Sequence, residues 1–211
     1  MIPVVSIIIP MYESEATIAE TIDSLRAQSL ADWETIVIDD GSRDSGPSIV
    51  RRYSARDDRL RMVHQPNAGL AAARNTGLDH ATGQFVYFLD ADDWVTPRGI
   101  EMLVRAASDH GGAAFGAYHC RGAGGEDLSV TCWPFAANVG LNELIKHNRF
   151  ASHAHILDRR LLVGHRFDES LRVAEDYDMW LRLAESGVRW HAIDKVVAEY
   201  RVRPASLSKD F

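Results

Sequence analysis

Apolar positions along the first 110 residues follow two alternating rhythms. Short β-branched and apolar runs at 4–10, 33–39, 60–64 and 85–89 read as strands. Between them lie longer stretches at 14–29, 45–56, 70–81 and 97–110, in which apolar side chains recur on one helical stripe, as Ile18, Ile22 and Leu25 do in the first. The run at 33–39 is almost continuously apolar, the pattern of a strand covered on both faces. Pro97 stands at the start of the fourth helical stretch and Gly83 just past the end of the third, where such residues open and close helices. Strands alternating with helices of this length predict βαβ units and an α/β fold with a mostly parallel central sheet flanked by helices.

The rhythm changes after about residue 112. Strands are expected at 113–120 and 128–133 around a Gly-rich turn, then a helix at 141–148, a strand at 154–157 and a helix at 177–186. Two short strands, 189–193 and 196–201, close the chain. The expectation is a single domain over 1–211 whose halves, 1–111 and 112–211, share a sheet.

Composition narrows the classes. The 211 residues are 46% hydrophobic and 25% charged, an ordinary globular balance, and the net charge of −7 excludes bulk binding of nucleic acid. No apolar run reaches the roughly 18 residues of a membrane span, and no leader pattern opens the chain, so a cytoplasmic location is expected. Arg51, Arg52, Arg56, Arg59 and Arg61 are interrupted by Asp57 and Asp58 and read as a solvated face, with peripheral contact to the inner side of a membrane as the alternative. Cys120 and Cys132 are too few for a zinc site and read as free thiols, with a hairpin disulfide across the Gly-rich turn as the alternative.

Ligands of open α/β sheets sit beyond the carboxyl ends of the strands. There the sequence places Pro10, Met11, Tyr12 and Glu13, then Asp39, Asp40 and Asp44, then Asp90, Asp92 and Asp93. Crowded carboxylates repel unless a cation or hydrogen bonds offset them, and oxygen ligands at short spacing suit Mg²⁺ or Mn²⁺. A lone D-x-D is as readily a turn or a helix cap. Arg74, one turn into the small-residue helix after 65–69, is placed to pair with the base or diphosphate of a nucleotide, or to sit solvated on its helix.

The order PMYESEATI, IVIDDGSRD, NAGLAAARNTGLDHATGQFVYFLDADDW and AEDYDMWLRLA resembles family 2 glycosyltransferases of the GT-A fold, over nearly the whole chain. The resemblance implies a nucleotide-sugar donor, usually UDP-linked, held by the first half, with a divalent metal at the D-x-D and a saccharide or lipid-linked acceptor met by the second half. It implies Pro10, Tyr12 and Asp40 around the nucleoside, Asp90 near the ribose, and Asp92 reaching metal and diphosphate. Glu13 departs from the Asn common after the Tyr, which leaves its contact with the base open.

Inverting transfer requires a base on the acceptor hydroxyl, opposite the leaving diphosphate. Asp176 and Glu175 precede a helix with Met179, Trp180, Leu183 and Ala184 on its apolar face, and spacing alone reads them equally as a helix cap. The resemblance implies Asp176 as the base and Glu175 as a supporting group. His153 and His155 alternate on an expected strand, so both are expected on one side, lining a pocket or the surface. The stretch 200–206 resembles a family segment that often folds over the diphosphate and commonly carries His where Arg203 stands, which implies Arg203 at the diphosphate as a fixed charge rather than a metal ligand. Of the five tryptophans, Trp94 and Trp133 are the ones placed to offer a stacking face, the others falling in core patterns. No Gly-rich basic loop follows the first strand, which rejects a nucleotidyltransferase, and no G-x-G-x-x-G is present there, which rejects a dinucleotide oxidoreductase. A non-catalytic nucleotide-sugar-binding module remains the rival.

Overall fold

A computed structural model describes residues 2–146 and 151–202. The first half builds strands β1 (Val5–Met11), β2 (Trp33–Asp40), β3 (Leu60–Gln65) and β4 (Phe85–Phe88), with helices α1 (Ile18–Arg26), α2 (Gly46–Ser54) and α3 (Leu70–His80) between them. A two-residue strand β5 (Trp94–Val95) and helix α4 (Gly99–Asp109) follow. The second half contributes β6 (Ala113–Arg121), β7 (Asp127–Cys132), β8 (Asn138–Val139), α5 (Leu141–Lys146), β9 (His155–Asp158), α6 (Glu175–Glu185) and β10 (Trp190–Arg201).

All ten strands join one sheet, in the path β3-β2-β1-β4-β9-β6-β10-β5, with β7 on β6 and β8 on β10. The expectation of parallel pairing holds across β3-β2-β1-β4. Beyond β4 the sheet is mixed: β9 runs antiparallel to both β4 and β6, and β10 lies parallel to β6. The strands expected at 189–193 and 196–201 are one strand, β10, because two register shifts between Ala192 and Ala198 absorb the polar Asp194 and Lys195 without ending the pairing with β6.

Helices cover both faces. Ile7, Ile9, Ile18, Ile22, Leu25 and Leu103 fill one core; Ile8, Ile36, Ala73, Phe88, Phe167, Trp180 and Trp190 fill the other. Helix α3 lies so close to β1 that a Cβ at Gly77 would meet Ile8 Cγ2 at 2.3 Å, and this is why small residues dominate the helix. Gly83 is not its terminator: the C-cap is Ala81 in extended conformation, and Gly83 instead passes the Ser6 backbone, where a Cβ would come within 2.5 Å of nitrogen.

The strand expected at 154–157 differs as well. Residues Ser152–Ala154 form a 3₁₀ turn, and the strand begins at His155. His153 therefore packs against Tyr118 and Tyr200 while His155 meets Trp180 edge-on at 4.2 Å, so the two imidazoles belong to different cores rather than one face. Both are buried, which excludes the surface reading.

Candidate active site

Strand order reverses at β1, with β2 on one side and β4 on the other. The crevice past such a reversal is where open α/β sheets hold ligands. A cleft of about 310 Å³ opens there, lined by Pro10, Met11, Tyr12, Asp40, Asn67, Gly69, Leu70 and Ala73. Pro10, Tyr12 and Asp40, expected together from the sequence, do share this wall. Tyr12 is 52% exposed, and Asp40 is buried.

The Asp40 carboxylate shapes the cleft. It accepts hydrogen bonds from Gln65 Nε2 at 2.7 Å and from the Ala68 and Gly69 backbone N–H groups at 2.9 Å each. Asn67 Nδ2 donates to the Asp40 carbonyl. The loop before α3 is thus wrapped around one side chain. Gly41 lies in the left-handed region (φ +77°), and a Cβ there would also meet the Asn67 nitrogen at 2.9 Å, so the position suits glycine on both counts.

Glu13 is exposed and links two loops. Its Oε1 accepts from the Arg43 N–H at 2.7 Å, and its own N–H donates to Ser42 Oγ. Together with Glu15, which bonds Ser45 and Asp44, it stitches the loop after β1 to the loop after β2.

Arg74 does not present itself to a nucleotide. It is 2% exposed, and its guanidinium is committed to two carboxylates, Nη1 to Glu175 Oε1 at 2.6 Å and Nη2 to Asp90 Oδ1 at 3.0 Å. Burial opposes its charge, yet Asp90, Asp176 and Glu175 outweigh that and hold the group above its usual value. The next residue reinforces the bridge: Asn75 exchanges hydrogen bonds with the Phe167 backbone and donates to Glu169. Helix α3 is consequently the strut between the two halves, a role that small-residue helix geometry alone did not reveal.

The loop after β4 is anchored through Asp93, which is fully buried. Its Oδ1 accepts from the Arg201 N–H at 2.8 Å, and Oδ2 lies 2.9 Å from His153 Nδ1. Burial, offset in part by His153, keeps the Asp93 carboxyl above the usual carboxylate range. Burial also works against charge on His153, but Asp93, Asp90 and Asp92 prevail and raise it. Arg201 further clamps the loop, stacking 4.0 Å over Trp94 and donating to the Asp92 and Ala123 carbonyls and to Glu20. Burial pushes His155 the other way, down to about 3, so it stays neutral.

Among the described residues, one group brings three metal-capable side chains to within 4.8 Å of one another: Asp90, Asp93 and His153. Carboxylate oxygens with one imidazole nitrogen fit Mn²⁺ or Mg²⁺ rather than a thiophilic metal. His153 Nε2 is buried and has no hydrogen-bond partner, which leaves a donor atom available. Asp92, the expected metal ligand, is half-buried on the same loop and outside that group.

Asp176 occupies the second position of α6. Its Oδ2 accepts from Ser152 Oγ at 2.7 Å and its Oδ1 from the Tyr177 N–H at 2.7 Å. Three acidic residues, Glu175, Asp176 and Asp178, crowd this first turn, where the helix end favours negative charge. Arg203 lies outside the described residues. Trp33, Trp180 and Trp190 are buried and Trp94 is covered by Arg201, whereas Trp133 is 54% exposed. Cys120 and Cys132 are free, and burial followed by the neighbouring Cys132 pushes the Cys120 thiol up to about 11. No helix among the described residues is long and apolar enough to cross a membrane.

A reversed-order α/β sheet with carboxylate loops at its crevice and a mixed extension carrying an acidic helix start defines a GT-A glycosyltransferase architecture. Residues 6–162 match the family model "Glycosyl transferase family 2", and the chain belongs to that family. It is 46% identical over 110 residues to the uncharacterized glycosyltransferase EpsJ of Bacillus subtilis, covering 52% of this chain and 32% of that protein. The putative glycosyltransferase EpsH of the same organism is 40% identical over 107 residues, covering 51% of this chain and 31% of the relative. These matches thus span about a third of each relative's length. Among solved structures, Staphylococcus aureus TarS 1–349 in complex with UDP superposes with a TM-score of 0.75 at 26% identity, covering 95% of this chain and 61% of that one.

Proposed function

We propose that this chain carries out inverting transfer of a sugar from a UDP-linked donor to an acceptor hydroxyl, on a saccharide or lipid-linked acceptor of polysaccharide or glycolipid assembly. The observation that carries the reading is one buried guanidinium. Arg74 holds Asp90, in the loop past the nucleotide cleft, and Glu175, the neighbour of Asp176. A donor-side carboxylate and a second-half carboxylate are thereby fixed relative to each other, as a displacement with reactants on opposite sides requires. The UDP bound to TarS supports a uridine nucleotide in the cleft of Pro10, Tyr12 and Asp40.

In this reading Asp92 would hold a divalent cation, Mn²⁺ or Mg²⁺, together with Asp90, which also belongs to the Asp90, Asp93 and His153 group, and the cation would neutralise charge on the leaving diphosphate. Asp176 takes the proton of the acceptor hydroxyl as its oxygen attacks the anomeric carbon and the bond to the diphosphate breaks. Each Asp176 oxygen accepts one hydrogen bond within the protein, and a carboxylate oxygen has two lone pairs, so capacity for that proton remains. Glu13 and Arg74 act as struts.

The test is a thermal-shift panel of UDP, GDP, CMP and dTDP with and without Mn²⁺, followed by a UDP-sugar turnover assay on wild type and Asp176→Asn. A UDP shift that needs Mn²⁺ and disappears in Asp92→Ala, with turnover reduced at least about 100-fold in Asp176→Asn and its UDP shift retained, is expected. Wild-type turnover in Asp176→Asn would overturn the base, and the absence of any nucleotide shift would overturn the donor site.

A further inference from the structure

The 3₁₀ turn Ser152–Ala154 touches both sides of the site through adjacent residues. Ser152 Oγ donates to Asp176 Oδ2 at 2.7 Å, and His153 Nδ1 lies 2.9 Å from Asp93 Oδ2 in the loop past β4. Ser152 is 5% exposed and His153 3%, so neither contact is a passing surface encounter. The turn is itself fixed. Tyr87 Oη donates to the His153 carbonyl, the Ala154 N–H donates to the Ala151 carbonyl at 3.1 Å, and His155 Nδ1 meets the same carbonyl at 3.1 Å. The His153 ring stacks within 4° of parallel on Tyr200.

Asp176 lacks comparable support of its own. It is half-buried near a helix start, follows a left-handed Ala174 (φ +59°), and its other oxygen is bonded only to the N–H of the next residue. A carboxylate so placed can exchange between staggered χ1 wells unless something outside its helix selects one. Ser152 supplies that hold from a rigid turn.

We propose that Ser152 is a positioning residue for Asp176, fixing the carboxylate that receives the acceptor proton and tying its placement to the Asp93 loop through His153. This rests on Asp176 being the base. A reacting group displaced by about 1 Å can lose roughly 100-fold in rate. Ser152→Ala is therefore expected to lower kcat about 10- to 100-fold while leaving the donor KM and the UDP thermal shift unchanged. Ser152→Thr, which keeps the hydroxyl, is expected to recover most of kcat.

The assay uses the full chain with UDP-glucose, UDP-galactose and UDP-N-acetylglucosamine in turn and water as acceptor, with Asp176→Asn alongside. If Asp176→Asn is inactive and Ser152→Ala turns over like wild type, the positioning role is wrong and the base stands. If Asp176→Asn stays active, the base is wrong and the proposal falls with it. A rise in donor KM or a lowered UDP shift at unchanged kcat in Ser152→Ala makes the residue merely structural and overturns the proposal. Crystal structures of wild type and Ser152→Ala give a readout that needs no donor. Asp176 is expected to leave its rotamer in the variant, and an unmoved carboxylate overturns the inference.

Discussion

Arg74 and Glu175 are 101 positions apart in the chain and 2.6 Å apart in the fold, joined by a guanidinium that is 2% exposed and simultaneously bonded to Asp90. Removing one member of a buried ionic group leaves uncompensated charge and costs about 3–5 kcal/mol. Arg74→Ala is expected to lose stability of that order in urea unfolding, because Asp90 and Glu175 are left facing a vacated site. Arg74→Lys keeps the charge but not the planar fork, so it can satisfy only one carboxylate well. Its stability should lie between wild type and Arg74→Ala, with turnover falling further than stability does. Equal stability of Arg74→Ala and wild type would show that the bridge is slack.

Asp40 gathers three donors from residues 65–69, two of them backbone N–H groups. Asp40→Ala frees all three; Gln65 is half-buried and Ala68 and Gly69 are exposed, so water can meet much of what is lost and the cost stays near the net worth of a hydrogen bond, about 1 kcal/mol. The loop they belong to walls the cleft, so the expected signature is a UDP affinity at least 10-fold weaker by calorimetry, with a modest drop in melting temperature. A variant that loses stability but binds UDP as wild type does would separate the loop from the nucleotide.

The alternating first half was legible because local pattern and tertiary role agree there. Ile18, Ile22 and Leu25 do face the core, and the continuously apolar β2 is covered on both sides. Family motifs located the cleft of Pro10, Tyr12 and Asp40 for the same reason: they stand at strand ends. What the pattern could not show were partners far away in sequence. Arg74 on a helix looks the same whether it faces water or the pair of carboxylates Asp90 and Glu175. His153 and His155 were read as strand neighbours, since nothing in two alternating histidines signals a 3₁₀ turn before the strand. The mixed pairing beyond β4 was equally hidden, because β9 pairs with strands far from it in the sequence, Asp158 with Phe85 and Leu157 with Ala113.

Gly77 faces β1 with no room to spare. A methyl group there would stand 2.3 Å from Ile8 Cγ2 and 3.1 Å from Cγ1, well inside contact distance. Overpacking of this kind costs about 1–3 kcal/mol, which exceeds the roughly 1 kcal/mol that alanine gains over glycine in a helix. Gly77→Ala is expected to be net destabilising in urea unfolding. In a double-mutant cycle with Ile8→Ala, which removes both Cγ atoms that the new methyl strikes, the two losses should be less than additive, and strict additivity would mean the helix shifts as a whole.

Asp158 gives a pH-dependent test. Its carboxylate accepts from the Arg160 N–H at 2.9 Å, capping the turn after β9, and from Arg160 Nε and Nη2 at 3.0 and 2.7 Å. The Arg160 bonds, acting against burial, hold the carboxyl below its ordinary value. An unfolded Asp takes up its proton near pH 3.9, the folded one only at lower pH, so between those points the unfolded chain binds more protons. The stabilisation is therefore complete above about pH 4 and is lost as pH falls through the folded value. Asp158→Ala should cost about 1 kcal/mol at pH 7, the usual worth of such a cap, since the Arg160 side chain is largely exposed and its ion pair adds little. Urea unfolding at pH 7 and again near pH 3 should show the gap between wild type and variant narrowing in acid; a gap of constant size would mean that the lost packing of the carboxyl group, rather than its charge, sets the cost.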